Sequence, residues 1–173
     1  MSDEGASPAE ILVESCRRNN TELLEQVLAG VEDKAGFLNS ATDPVGNSGL
    51  HLAAANGSYE CLDIILDIEG VEVDPVNRMQ GETPLHSAVR YSDEEPEHGA
   101  FIVEELIEAG CDPRIKNKDG LKPVDLANPK NEDLVNTLRG AELALNMGNI
   151  EETNAQTEDS AAEEGSESGS ESD

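Results

Sequence analysis

Three stretches of the chain align with one another: VGNSGLHLAAANG at 45–57, QGETPLHSAVRYS at 80–92 and DGLKPVDLANPKN at 119–131. Their matched apolar residues Leu50, Leu85 and Val124 stand 35 and 39 residues apart. Self-similarity at a spacing of about 20–50 residues is the mark of a stacked array. Behind each stretch lies a second apolar run at helical spacing: CLDIILDI at 61–68, FIVEELIEAG at 101–110 and EDLVNTLRGAELAL at 132–145. Ile102, Val103, Leu106 and Ile107 recur at i, i+1, i+4 and i+5, which gives one buried helical face. Each unit thus reads as two helices that bury their apolar stripes against neighbouring units.

A fourth, atypical unit opens the chain, SPAEILVESCRRNNTELLEQVLAG. Ser7 and Glu10 have the spacing of a capping box, with Pro8 at the first helical position. Helix one carries Ile11, Leu12 and Cys16, and helix two carries Leu23, Leu24, Val27 and Leu28. Asn19–Asn20 turns the chain between them, because asparagine tolerates the left-handed backbone a tight turn needs; Gly57 serves the same turn in the next unit. Four helix pairs exceed the minimum of about three for a stable array. Only 2% of the residues are aromatic and none is tryptophan, so the interior must be built from Ala, Leu, Ile and Val.

These residues resemble the ankyrin-repeat family. Its TPLHxA signature stands intact as Thr83–Pro84–Leu85–His86–Ser87–Ala88, degraded to Ser48–Gly49–Leu50–His51–Leu52–Ala53 before it and to Lys122–Pro123–Val124–Asp125–Leu126–Ala127 after it. Thr83 and Ser48 are expected to cap the first helix of their units, and Pro84 and Pro123 to occupy its first turn. The resemblance implies that His86 hydrogen-bonds backbone between neighbouring units. The expected fold is all-α: an ankyrin-repeat solenoid of about four helix–turn–helix units joined by β-hairpin-like loops. It would span residues 7–147, between a disordered N-terminus at 1–6 and a disordered acidic Ser/Glu-rich tail at 148–173. Against the family period of about 33 residues, the unit holding Leu85 is six residues longer, and the alignment puts the excess near Ser92–Glu97 as a loop grown between two intact helices.

A more specific resemblance is to a small fungal family of ankyrin-repeat proteins with acidic C-terminal tails, carried by PLHSAVRYSDEEPEHG at 84–99, DPRIKN at 112–117, KPVDL at 122–126 and GAELAL at 140–145. It implies the fold and no activity. Fungal ankyrin-repeat chaperones that shield new small-subunit ribosomal proteins are similar in size and acidity but lack the EEPEHG segment.

The chain carries a net charge of -27, of which -9 lies at 151–173 and -18 on residues 1–150. Direct binding to nucleic acid or anionic membrane is excluded by this balance, since phosphate contacts need lysine and arginine. Basic partners are favoured instead. The segment 151–173 has no Leu, Ile, Val or aromatic residue to offset the ~1–2 kcal/mol per residue lost on ordering. Ser160, Ser168 and Ser170 each have an acidic residue three positions on, the pattern acidophilic kinases recognise, and each phosphate would add about -1.5 to -2 charges. No membrane-spanning run and no secretory leader is present, so cytoplasm and nucleus are the expected compartments. Cys16, Cys61 and Cys111 are odd in number and lack a CxxC, which argues for reduced apolar residues and against disulfides or zinc.

Catalytic motifs are absent: no phosphate loop, GxSxG or HExxH occurs. His98 beside Asp93, Glu94, Glu95 and Glu97 lacks an EF-hand pattern and a nucleophile, so no cofactor, metal or enzymatic role is expected. Partners of the family dock on hairpin tips and first helices. The resemblance therefore implies Asn47, Arg78, Met79, Gln80, Glu82, Lys118 and Asp119 at the tips, and Ala55, Asn56, Arg90 and Tyr91 on the helices, with the acidic segment Asp93, Glu94, Glu95 and Glu97 alongside. Tyr91 is the foremost of these, an aromatic ring with a polar handle; the alternative is that it packs against the inserted loop of its own unit. The expected function is a non-enzymatic, monomeric binding module for a basic client protein, ribosomal or nucleic-acid-binding, acting as escort or adaptor. Its rival is a subunit that docks one partner by shape, with acidity serving only solubility.

Overall fold

The computed structural model describes the backbone of residues 6–160 and the side chains of residues 6–148. Ser168 and Ser170, the side chain of Ser160 and the first five residues lie outside these described residues. Two units divide after Leu138.

In the first unit, α1 (Pro8–Arg18) and α2 (Thr21–Ala29) form the opening pair, followed by a short α3 (Lys34–Ser40). The second pair is α4 (Gly49–Ala55) and α5 (Tyr59–Leu66), and the third is α6 (Pro84–Ser92) and α7 (Pro96–Glu108). Then come α8 (Pro123–Leu126) and α9 (Glu132–Ser160), whose first turns belong to this unit. Side chains set the starts as expected. Ser7 Oγ accepts from Glu10 N–H while Glu10 Oε1 accepts from Ser7 N–H at 2.9 Å. Ser48 and Thr83 take the same position before α4 and α6, with a histidine in place of glutamate as the reciprocal partner. Asn19 lies at φ 55°, the left-handed turn expected of it.

First helices pack on first helices, α1 on α4 on α6 on α8, and second helices α2, α5 and α7 pack behind them. The shared interior runs through Leu12, Leu24, Leu50, Leu62, Leu85, Ile102, Leu106 and Leu138, with Ala53 and Ala88 buried where the first helices approach closely. Each such leucine contributes about 1.5–3 kcal/mol through burial. The three cysteines are free and buried. Cys61 Sγ donates to Ser15 O and Cys111 Sγ to Val73 O, and burial followed by the charges of Glu60 and Glu25 pushes the Cys61 thiol up to about 11.

Three features differ from the sequence reading. The extra length of the third unit is not a loop. The connection between α6 and α7 is the three residues Asp93–Glu95, like Asn56–Ser58 between α4 and α5; the excess lengthens the helices to nine and thirteen residues, against seven and eight. Pro96 starts α7 because its missing N–H would be unsatisfied there anyway, and Glu97 suits the positive end of the helix. The helix α3 was not expected; Asp33 Oδ1 caps it through Gly36 N–H at 2.9 Å. Finally, the second apolar run of the last unit ends at residue 145, but the backbone of α9 stays helical to Ser160; no proline follows Pro129 to stop it. In the second unit, Leu143, Leu145 and Met147 of α9 are exposed. Among the described residues, no helix is long and apolar enough to cross a membrane.

Asn19 ties the first two pairs together. Its Oδ1 accepts from Cys61 N–H at 3.1 Å, and its Nδ2 donates to Glu60 Oε1 at 2.7 Å. Asn19→Gly, which keeps the turn and loses both bonds, is expected to destabilise the protein by about 1 kcal/mol. Asn19→Ala adds a left-handed alanine and should reach about 2 kcal/mol. Urea denaturation followed by circular dichroism reads the difference.

Candidate partner-binding groove

The units are joined at their tips by one repeated device. Asp43, Asn77 and Asn117 each begin a tight turn and accept two backbone N–H groups on one side-chain oxygen: Val45 and Asn47, Gln80 and Glu82, and Asp119 and Leu121 respectively. Asx residues favour such turns because the side chain mimics a backbone carbonyl. Adjacent tips are bonded to each other, Arg78 N–H to Val45 O at 3.3 Å and Lys118 N–H to Gln80 O at 2.9 Å. The only β-pairing among the described residues is a single bridge between Thr42 and Ser48.

Two histidines lock each tip to the next unit. His51 Nδ1 faces the Ser48 N–H at 3.1 Å and its Nε2 meets Glu82 O at 2.6 Å; His86 Nδ1 faces the Thr83 N–H at 3.1 Å and its Nε2 meets Leu121 O at 3.0 Å. A backbone N–H only donates and a carbonyl only accepts, so both rings are neutral with the proton on Nε2. Burial pushes both pKa values down, partly offset by the bonds to these carbonyls.

Glu82 departs most from expectation. Predicted as an exposed tip residue, it is 2% exposed. Its carboxylate accepts Arg90 Nε at 3.0 Å, Arg90 Nη2 at 2.6 Å and Asn117 Nδ2 at 2.9 Å. Burial raises its pKa, but the bonds from Arg90 and Asn117 outweigh that and hold the carboxyl below its ordinary value. Arg90 is held above its own by the same contact, with its side chain 51% exposed at the surface. Glu82 is thus a buried strut whose charge is met by an arginine standing half in solvent.

Above this strut, between α4 and α6, lies an open groove of about 290 Å³. Asn47, Ala55, Gln80, Glu82, Arg90, Tyr91 and Glu94, seven of the sequence-predicted residues, line it. Asn47 is also a brace, accepting from Asn77 Nδ2 at 2.9 Å. Tyr91 is half-buried, with its ring edge-on to His98 at 5.8 Å and lying across Gly57, where a Cβ would meet its hydroxyl. Gly57 is at φ 68°, so it is glycine for both reasons. His98 Nε2 meets the Gly57 carbonyl at 2.7 Å, which engages the imidazole away from the neighbouring carboxylates. Tyr91 thus packs on α7 of its own unit and on Gly57 of the preceding one while lining the groove. Burial, followed by the charges of Glu95 and Glu94, raises its pKa, so the phenol stays protonated.

The remaining predicted residues lie outside the groove lining. Arg78, Met79, Lys118 and Asp119 are exposed on the tips, Met79 to 67%, and the Lys118 Nζ donates to Arg78 O. Asn56 is exposed but turns its Nδ2 back to Leu52 O at 2.8 Å. Asp93 and Glu95 are exposed on the α6–α7 connection, where Asp93 accepts from Asn128, and Glu97 is exposed on α7. The sequence reading did not place His51, Leu52, Asn77 and Ser87 here, and these complete the lining. Ser87 occupies the variable position of TPLHxA, a signal that was available.

Comparison with known proteins agrees with this geometry. The family model described as ankyrin repeats (3 copies) matches residues 12–117 and 50–149. An ankyrin repeat-containing protein of Saccharomyces cerevisiae is 48% identical over 155 residues, 86% of each chain. One from Schizosaccharomyces pombe is 31% identical over 124 residues, 72% of this chain and 78% of its own. Protein phosphatase 1 regulatory subunit 27 of Mus musculus is 34% identical over 100 residues, 58% of this chain and 60% of its own. The chain belongs to the ankyrin-repeat family, and within it to the group represented by the two yeast proteins.

Proposed function

We propose that this ankyrin-repeat module is non-enzymatic and holds an extended segment of a basic protein across the α4–α6 groove and its tips. The carrying observation is the set of side chains that stand open along the groove: Gln80 and Glu94 are exposed, Tyr91 is half-buried, and Arg90, though bonded to Glu82, is half in solvent. Spare chemistry on a rigid scaffold is where recognition resides. Within the groove Glu82 is already matched by Arg90, so the uncompensated charge is at the rim, on Glu94 and the adjoining Asp93 and Glu95. An apolar or aromatic partner side chain would rest on Leu52, Ala55 and Tyr91, with lysine or arginine reaching the rim. The net charge of -18 on residues 1–150 would speed its approach.

Tyr91→Ala is expected to weaken partner binding by about tenfold or more, since a central aromatic anchor is worth at least ~1.4 kcal/mol. Affinity purification at low and high salt, followed by calorimetry with the recovered protein, tests it. Acidic or neutral partners held regardless of salt would rule out the basic-client reading. The mouse relative, named as a regulatory subunit of a phosphatase, favours the second reading: a subunit docking one partner by shape. Deletion of residues 148–173 separates the two, because electrostatic capture loses on-rate and shape recognition does not.

A further inference from the structure

A second groove lies between α7 and the first turns of α9, on the side formed by the second helices. Its volume is about 500 Å³. Ala100, Val103 and Leu134 give it an apolar floor, and Glu97, Glu104 and Asp133 stand exposed around it. No lysine or arginine lines it; Lys130, next to Asn131 in sequence, is outside the lining. Along α7, Phe101 sits four residues after Glu97 and three before Glu104, which places it between them on one helix face. Phe101 is 61% exposed, although the chain has only two phenylalanines and the other is packed against the core. An apolar groove beside an uncovered aromatic ring marks an interaction surface.

Charge identifies the occupant. The chain's own segment 151–173 has nine carboxylates and no cation, and a second copy of the chain carries -27; the carboxylates around the groove repel both. Nucleic acid and anionic lipid are repelled for the same reason. A segment that seats leucine-like side chains on the floor while its lysines or arginines meet Glu97, Glu104 and Asp133 satisfies both halves of the surface, and a cation over Phe101 gains further from the ring face. We infer that the α7–α9 groove with Phe101 is a docking surface for a basic, amphipathic protein segment. This surface is separate from the α4–α6 groove, and its assignment does not depend on that one.

The test uses the full-length, isotope-labelled protein and a synthetic 15-residue helix-forming peptide with leucines on one face and lysines on the other. Amide shifts in nuclear magnetic resonance are expected to concentrate at residues 100–104 and 134–137. The same peptide with glutamate for lysine should give none. Phe101→Ala combined with Glu104→Gln, both at exposed positions that leave the interior intact, should weaken binding about tenfold or more. Shifts confined to the α4–α6 groove, equal binding of the acidic peptide, or full affinity in the double variant would overturn the inference. So would a spin label on Ser168→Cys that broadens amides 100–104 in the free protein, which would put the chain's own tail there. Self-association abolished by Phe101→Ala would likewise assign the surface to a second copy.

Discussion

Replacing His86 with alanine is expected to destabilise the protein by about 3–4 kcal/mol. The ring is fully buried, and it links the start of α6 to the tip of the following unit. Its loss leaves the Thr83 N–H and the Leu121 carbonyl without their partner, each costing about 1–3 kcal/mol if water cannot replace it. A cavity is left as well, next to Leu85 and Ala88. Because Leu121 precedes α8, hydrogen exchange should show residues 122–138 opening first in the variant. The ring also sets an acid limit. Burial holds the pKa of both His51 and His86 below the ordinary value of about 6.5. Above that pH the rings are neutral in both folded and unfolded chains and stability is unaffected. Below it the unfolded chain takes up protons that the folded one refuses, so stability falls with pH by at most about 1.4 kcal/mol per unit for each histidine. His86→Ala removes one of the two contributions. Urea melts at pH 7.0 and 5.5 should therefore show a shallower acid loss in the variant, on top of its lower stability at neutral pH.

What could be read from the sequence follows the range over which each feature is decided. Ser7, Ser48 and Thr83 cap helices within three residues of themselves, and Asn19 turns the chain on its own backbone, so each was legible locally. The stacking order was legible because the spacing of Leu50, Leu85 and Val124 repeats. Glu82 was not, because its burial depends on Asn117, 35 residues later, and on Arg90 at the far end of the next helix. At the same place in the preceding tip stands Asn47, a neutral residue that stays partly open. The run SDEEPEH was misread for a different reason. Four acidic residues and a proline look like a loop, yet proline and glutamate are both favoured in a first helical turn, and only the packing of Gly99 beside Ser92 shows that α7 begins there. Phe101 opens the apolar run 101–110, but its exposure is decided by which face α7 turns to α9, which periodicity alone does not fix.

The Glu82–Arg90 pair allows the scaffold and the groove to be tested apart. Arg90→Met removes both guanidinium bonds and leaves a buried carboxylate with Asn117 alone. Breaking a buried pair costs about 3–5 kcal/mol; with the Arg90 side chain half exposed, water can reach the site, and about 2–3 kcal/mol is expected. The pH dependence has a defined sign. In the parent protein the folded pKa of Glu82 is depressed, so its contribution is present above the unfolded value of about 4.3 and is lost as pH falls through the folded one. In Arg90→Met burial dominates and the folded pKa rises above that value, so protonation relieves the penalty. The stability difference between the two proteins should therefore be largest near pH 7 and shrink toward pH 5, and losing the Arg90 charge, which also lowers the His86 pKa, works in the same direction. Glu82→Gln with Arg90→Met replaces the charge by an amide that can still accept from Asn117, and it should recover at least half of the loss. That double variant restores the tip without restoring the guanidinium on the groove wall. If a partner then binds it as well as the parent, Arg90 acts only on the fold; if binding stays weakened while stability returns, the guanidinium is itself part of the recognition surface.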